Sequence, residues 1–190
     1  SAGEMVQIHR FMFYTTKWKV INASNDTINL SNDHFLINAD KEQSMVMPFP
    51  QLSNAKKIVF DIGVDSIRNT SGIQTGILDP ALGMFWTWRT GYIMAKMHGI
   101  SSQAKTAGNR FSYEVGGFQS PYNSVTTIVL ELPAKQEKNK SITIKTNLAN
   151  WFSGKHFIQI GTTPNCHNAG KLAMQLADNY ATLFSIHSNH

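Results

Sequence analysis

The chain has 190 residues, 42% hydrophobic and 15% charged, which describes one globular domain with ample material for a core. Its 17 basic and 12 acidic residues give a net charge of +5, but the lysines are scattered and no arginine-rich stripe is interleaved with aromatics, so nucleic acid is not an expected partner. A single cysteine, Cys166, excludes an intramolecular disulfide and a cysteine-rich zinc site, and no apolar run approaches a bilayer span.

Ser1-Ala2-Gly3 in place of an initiating Met reads as a scar or flexible N-terminus over residues 1–4, compatible with an export signal already removed, and leaves one domain over residues 5–187. Residues 8–20 alternate aromatic and branched side chains and predict the first strand. Residues 28–30 and 34–37 flank a polar turn at Ser31-Asn32-Asp33, and Pro48-Phe49-Pro50 excludes regular structure. Residues 57–64 predict a strand with Ile58, Phe60 and Ile62 on one face, and the polar stretch 65–79 reads as loop. Residues 84–97 read as one further strand, followed by 111–115 and 125–132. The lysine cluster 135–140 reads as a solvated loop. Residues 141–146 alternate Ile142 and Ile144 against Thr143 and Lys145. The spacing of Leu148, Trp151 and Phe152 then turns helical, and Leu172, Leu176, Ala177, Tyr180, Leu183 and Phe184 predict an amphipathic helix within 169–184. Strands about a dozen residues apart, with no helices between them, predict a mainly β protein: an antiparallel β-sandwich with one or two short C-terminal helices.

Hydrolytic signatures are missing. There is no Gly-x-Ser-x-Gly elbow, no His-Glu-x-x-His, no phosphate-cradling glycine loop and no marked acid/base pair, so an enzyme is not expected. Seven histidines and eight methionines are generous, and imidazole and thioether suit copper. The histidines are dispersed singly, and each alone reads as a surface or hydrogen-bonded side chain. Met45 with Met47, and Met94 with Met97, form pairs that core packing also explains. Asp65, Asn69 and Asp79 are hard oxygen groups that could hold Ca²⁺, against a plainer reading as Asx-turns and caps.

The densest signal is Gly83-Met84-Phe85-Trp86-Thr87-Trp88-Arg89-Thr90-Gly91-Tyr92-Ile93. In an extended strand Trp86 and Trp88 share one face, with Phe85, Thr87 and Arg89 on the other. Such a pair is a core anchor or an electron-rich, oxidisable surface.

With Phe60-Asp61-Ile62-Gly63-Val64-Asp65-Ser66-Ile67-Arg68-Asn69 and Gly76-Ile77-Leu78-Asp79-Pro80 before it, this block resembles the MbnP-like domain family. These are bacterial exported proteins associated with copper handling, relatives of the copper-repressible surface proteins of methane oxidisers. Phe11 to Tyr14, His34 to Asp40, Tyr113 to Phe118 with Pro121-Tyr122-Asn123, and Asn179 to Phe184 extend the resemblance over nearly the whole chain.

The resemblance implies a periplasmic or surface-tethered protein. It further implies that Trp86 or Trp88 is oxidised to kynurenine by a partner dihaem cytochrome-type oxidase, and that the product binds Cu(I) with two histidines. Opening an indole exposes an aniline nitrogen, a neutral donor suited to Cu(I) beside imidazole. The chain departs from the family where a histidine is expected before the Gly-Gly turn: it has Glu114. The metal set carried over is therefore His34, Trp86, Trp88 and Glu114, with His98 or His9 as the substitute histidine. The alternative is a non-catalytic β-sandwich module with a protein or glycan partner that has lost the copper site. Copper binding predicts His34, a second histidine and the tryptophan pair in one pocket. The module reading predicts buried tryptophans and a Glu114 hydrogen-bonded elsewhere, and a lectin predicts aromatic faces open to solvent.

Overall fold

A computed structural model of the chain describes residues 5–50, 54–87, 89–133 and 141–187. In chain order its elements are β1 (Val6–Asn22), β2 (Thr27–Ser31), β3 (Phe35–Asn38), β4 (Ala55–Ile62), α1 (Ser66–Thr70), β5 (Phe85–Thr87), β6 (Gly91–Ser101), β7 (Arg110–Gly116), β8 (Phe118–Gln119), β9 (Tyr122–Asn123), β10 (Thr126–Glu131), β11 (Ile144–Thr146), α2 (Asn150–Ser153), β12 (Asn165–Cys166), α3 (Lys171–Tyr180) and β13 (Phe184–Ile186).

The fold is mainly β, with its longer helix near the C-terminus, as the strand spacing predicts. The main sheet runs β10-β4-β1-β6-β7-β12, with β2 and β3 also paired to β1 and β5 paired to β6. Its pairs are antiparallel except β12, which runs parallel to β7. β1 organises it. Residues 6–13 pair with β6 and residues 15–22 with β4, along the same edge. Between them Lys17 takes a left-handed φ of 51° and the register slips, so the strand kinks and the sheet curls.

Side chains alternate across the sheet and line two cores. Phe11 and Phe13 of β1, Ala95 and Met97 of β6, and Phe111, Tyr113 and Val115 of β7 join Ile58, Phe60 and Ile62 of β4 in the main core. That core is roofed by Trp151 of α2 and by Ala173, Leu176, Ala177 and Tyr180 of α3. The opposite face of the same wing carries Met12 and Tyr14 of β1 and Met94 of β6. It is covered by the segment between β4 and β6, through Val64, Leu78, Met84 and Trp86.

That covering segment differs from its reading as plain loop. Asp65 caps α1, its Oδ1 accepting from the Arg68 N–H at 3.0 Å. Asp79 Oδ1 accepts from the Ala81 N–H at 2.8 Å, and Gly83 ends that turn at φ 74°. The single strand expected over 84–97 is in fact a hairpin. β5 ends at Thr87, the Thr90 N–H returns to the Thr87 carbonyl at 3.2 Å, and β6 begins at Gly91. The Thr-Gly turn signal, hidden inside an aromatic run, breaks the strand.

Candidate functional site

The second face of the β6–β7 pair presents Met94, Lys96 and His98 beside Ser112, Glu114 and Gly116. Lys96 pairs directly with Glu114, and His98 with Ser112. Trp86 reaches this face from β5. Its ring lies over Gly116, where an added Cβ would stand 2.6 Å from the indole, so only glycine admits it.

Glu114 is the hub. The Trp86 Nε1–H donates to its Oε2 at 2.8 Å. The Lys96 Nζ lies 3.0 Å from Oε1, and the His98 Nε2 lies 3.3 Å from the same oxygen. The Lys96 ammonium also donates to the Gly83 carbonyl. Side-chain exposure is 9% for Lys96, 17% for Glu114 and 32% for His98, so the ion pair is largely withdrawn from water. Burial pushes the Glu114 carboxyl up, but the His98, Trp86 and Lys96 contacts and the Lys96 charge outweigh it and bring the pKa from 4.5 to about 2. The buried His98 Nε2 has a contact here without a well-formed hydrogen bond. On the same face the His167 Nε2 and the Ser112 hydroxyl are 2.7 Å apart.

His34 stands elsewhere. Met12 pairs with β3 on one side and β6 on the other, Phe35 lies opposite Thr15, and His98 lies opposite Arg10. The two histidines are thus on opposite edges of β1, roughly six residues or ~20 Å apart along it. The His34 Nε2 is 3.5 Å from Asp65 Oδ2 and has no hydrogen-bond partner. It lines a cleft of about 430 Å³ with Asn32, Asp33, Arg68, Gln74, Thr75, Ile77 and Leu78. Burial lowers its pKa, with Asp65 pulling partly the other way and Arg68 and Lys17 adding to the lowering. His9 is exposed on β1. Trp88 lies outside the described residues.

The oxygens considered for Ca²⁺ are engaged within the chain. Asp65 and Asp79 cap their turns, as given above. Asn69 is 2% exposed and fully used. Its Nδ2 donates to the Val64 carbonyl at 2.7 Å and the Asp65 carbonyl at 3.0 Å, and its Oδ1 accepts from the Tyr92 N–H at 2.8 Å. The Met94 thioether accepts from the Val64 N–H at 3.1 Å, and Met97 is in the main core. Burial pushes the Cys166 thiol up to about 11, which keeps it protonated.

Among the described residues no group of three or more His, Cys, Asp or Glu side chains is placed to hold a metal ion. The donors around Trp86 do not fit Cu(I) as encoded. An indole N–H is spent on a carboxylate, that carboxylate is a hard ligand, an ammonium adjoins it, and among the described residues the imidazole that contacts it is His98. Lys96 is the member of this site that the sequence reading missed. Its signal was available: a lone cation inside Tyr92-Ile93-Met94-Ala95-Lys96-Met97 needs a buried counter-charge.

Fold and site together define a mainly β protein in which an aromatic hairpin is pinned over a buried carboxylate–ammonium pair. The chain belongs to the MbnP family, whose model matches residues 1–168. Among solved structures it is similar to "MbnP from Methylosinus trichosporium", with a TM-score of 0.62 and 15% identity, covering 98% of this chain and 89% of that one. No curated protein matches it by sequence.

Proposed function

We propose that this chain is an exported, non-catalytic member of its family that works as a binding module for a protein partner, with the copper position closed by an internal ion pair. The observation that carries this reading is the saturation of Glu114 by Trp86, Lys96 and His98, with His34 held away on the far edge of β1. A protein partner is favoured over a glycan by what the covering segment exposes. Ile67 is 74% exposed, Ile73 71% and Ile77 42%, whereas the Trp86 ring is partly buried over Gly116. Aliphatic side chains suit a protein surface, and sugar stacking needs open aromatic faces.

A second reading is favoured by one contact, the Trp86 N–H on an ionised carboxylate beside the His98 Nε2, which is buried without a well-formed hydrogen bond. A carboxylate there stabilises positive charge on the indole and makes Trp86 easier to oxidise. In this reading a dihaem oxidase converts Trp86 to kynurenine, and the new aniline nitrogen with His98 takes Cu(I).

One experiment separates the two. Protein co-produced with a dihaem oxidase of the family's hosts is digested with trypsin, and the peptide 69–89 is analysed by mass spectrometry, with metal analysis of the intact chain. Unmodified Trp86 and no stoichiometric copper is the expected result. Exchange of one carbon for one oxygen at Trp86, with one copper per chain, would overturn the module reading in favour of the second.

A further inference from the structure

We infer that the Lys96 ammonium is the resident cation of the Trp86–Glu114–His98 site, a tethered stand-in for a metal ion, and that shortening Lys96 opens a site there for a divalent cation of borderline softness such as Zn²⁺. The inference holds whichever partner reads the hairpin.

The ammonium is held as a bound cation would be. It is enclosed, it lies 3.0 Å from Glu114 Oε1, and it donates to the Gly83 carbonyl at the end of the turn that carries the hairpin. The same Oε1 is 3.3 Å from the His98 Nε2, a buried nitrogen without a hydrogen-bond partner. Two ligands each about 2.1 Å from a tetrahedral zinc are about 3.4 Å apart. His98 and Glu114 therefore already stand at ligand spacing, and the cation that Glu114 pairs with is covalently part of the chain. A metal entering the wild-type site would meet that ammonium at close range, with Arg10 opposite His98 as a second positive charge.

Removing the Lys96 side chain beyond Cβ leaves one carboxylate, one imidazole and one carbonyl around a vacated volume, with water free to complete the shell. The Trp86 ring and Gly116 close one side, and Ser112 with His167 borders the other.

The test titrates zinc chloride into wild type, His98→Ala, Lys96→Ala and the Lys96→Ala/His98→Ala double variant, read by calorimetry and thermal shift. Lys96→Ala is expected to gain one Zn²⁺ per chain, about 100-fold tighter than wild type, and to lose at least about tenfold of that in the double variant. Propylammonium chloride, which restores the missing group, is expected to compete with zinc in Lys96→Ala and to have no effect on wild type. His98→Ala alone is expected to leave wild-type zinc affinity unchanged. No gain in Lys96→Ala overturns the inference, and so does loss of zinc affinity on His98→Ala in the wild-type background. If Lys96→Ala is unfolded without metal, refolding with zinc but not magnesium supports the inference, and failure with both overturns it. These readouts need neither oxidase nor kynurenine, so they stand or fall apart from the partner reading.

Discussion

Lys96 and Glu114 sit opposite each other on neighbouring strands, and each is tolerable inside only because of the other. Glu114→Gln leaves the ammonium uncompensated. It should cost about 3 kcal/mol in urea unfolding, the low end of the range for breaking a buried pair, because Glu114 keeps some exposure. The double variant Lys96→Met/Glu114→Leu removes both charges and should recover most of that loss, so a double-mutant cycle reads the coupling. The same carboxylate sets an acid limb. Its folded pKa of about 2 lies below the unfolded 4.5, so its stabilisation is complete above 4.5 and is lost as pH falls from 4.5 towards 2. By linkage that contribution is of order 3 kcal/mol. His34 adds an earlier limb of the same sign. Its imidazole, held below 6.5 by burial, resists protonation when folded, so stability should begin to fall as pH drops below 6.5. Denaturation midpoints from pH 8 to pH 2 should show both limbs. His34→Phe should flatten the first and leave the second.

The segment joining β4 to the hairpin is held to the sheet by a few side chains. The Tyr14 hydroxyl donates to the Ile77 carbonyl at 3.1 Å, the Tyr92 hydroxyl to the Leu78 carbonyl at 2.8 Å, and Asn69 bridges α1 to the start of β6. Gly91 meets Asn69 so closely that an added Cβ would stand 2.2 Å from Oδ1, at a φ of 75°. Gly91→Ala is therefore strained twice over, and Asn69→Ala strands two backbone groups, the Val64 carbonyl and the Tyr92 N–H. Each should lower stability by about 2–4 kcal/mol and raise hydrogen exchange first across residues 64–91. Much of what marks the family in this sequence is thus turn chemistry: Asp65, Asn69, Asp79, Gly83 and Gly91 cap, bridge or turn the chain. That is why the family was legible while the chemistry of the site was not. The tryptophan motif showed where the hairpin lies. The ion pair beneath it depends on which residues of β6 and β7 face each other, and cross-strand register is not written in either strand alone.

At the scale of the whole molecule, strand existence followed from alternation, but the way β1 splits its pairing between β6 and β4 did not. The kink at Lys17 is a backbone event at a residue type that rarely takes positive φ, so the pattern carried no signal for it. The curl it produces brings both wings onto one cap. The Phe184 ring lies 5.5 Å from Phe13 of one wing and 5.8 Å from Phe60 of the other. The family match ends at residue 168, before α3 and β13. Leu176, Tyr180 and Leu183 nevertheless lie in the main core at 0%, 1% and 2% exposure. Burying these three and Phe184 contributes about 2 kcal/mol each, so about 8 kcal/mol in all, comparable with the whole stability of an ordinary domain. The chain cut after residue 168 should therefore lose cooperative unfolding and near-ultraviolet dichroism. Adding residues 169–187 back as a separate peptide should restore them in part. A truncated chain that unfolds cooperatively near the full-length midpoint would show that α3 and β13 decorate a domain already complete. Collapse of the truncated chain would make them the lid on which both wings of the sheet close.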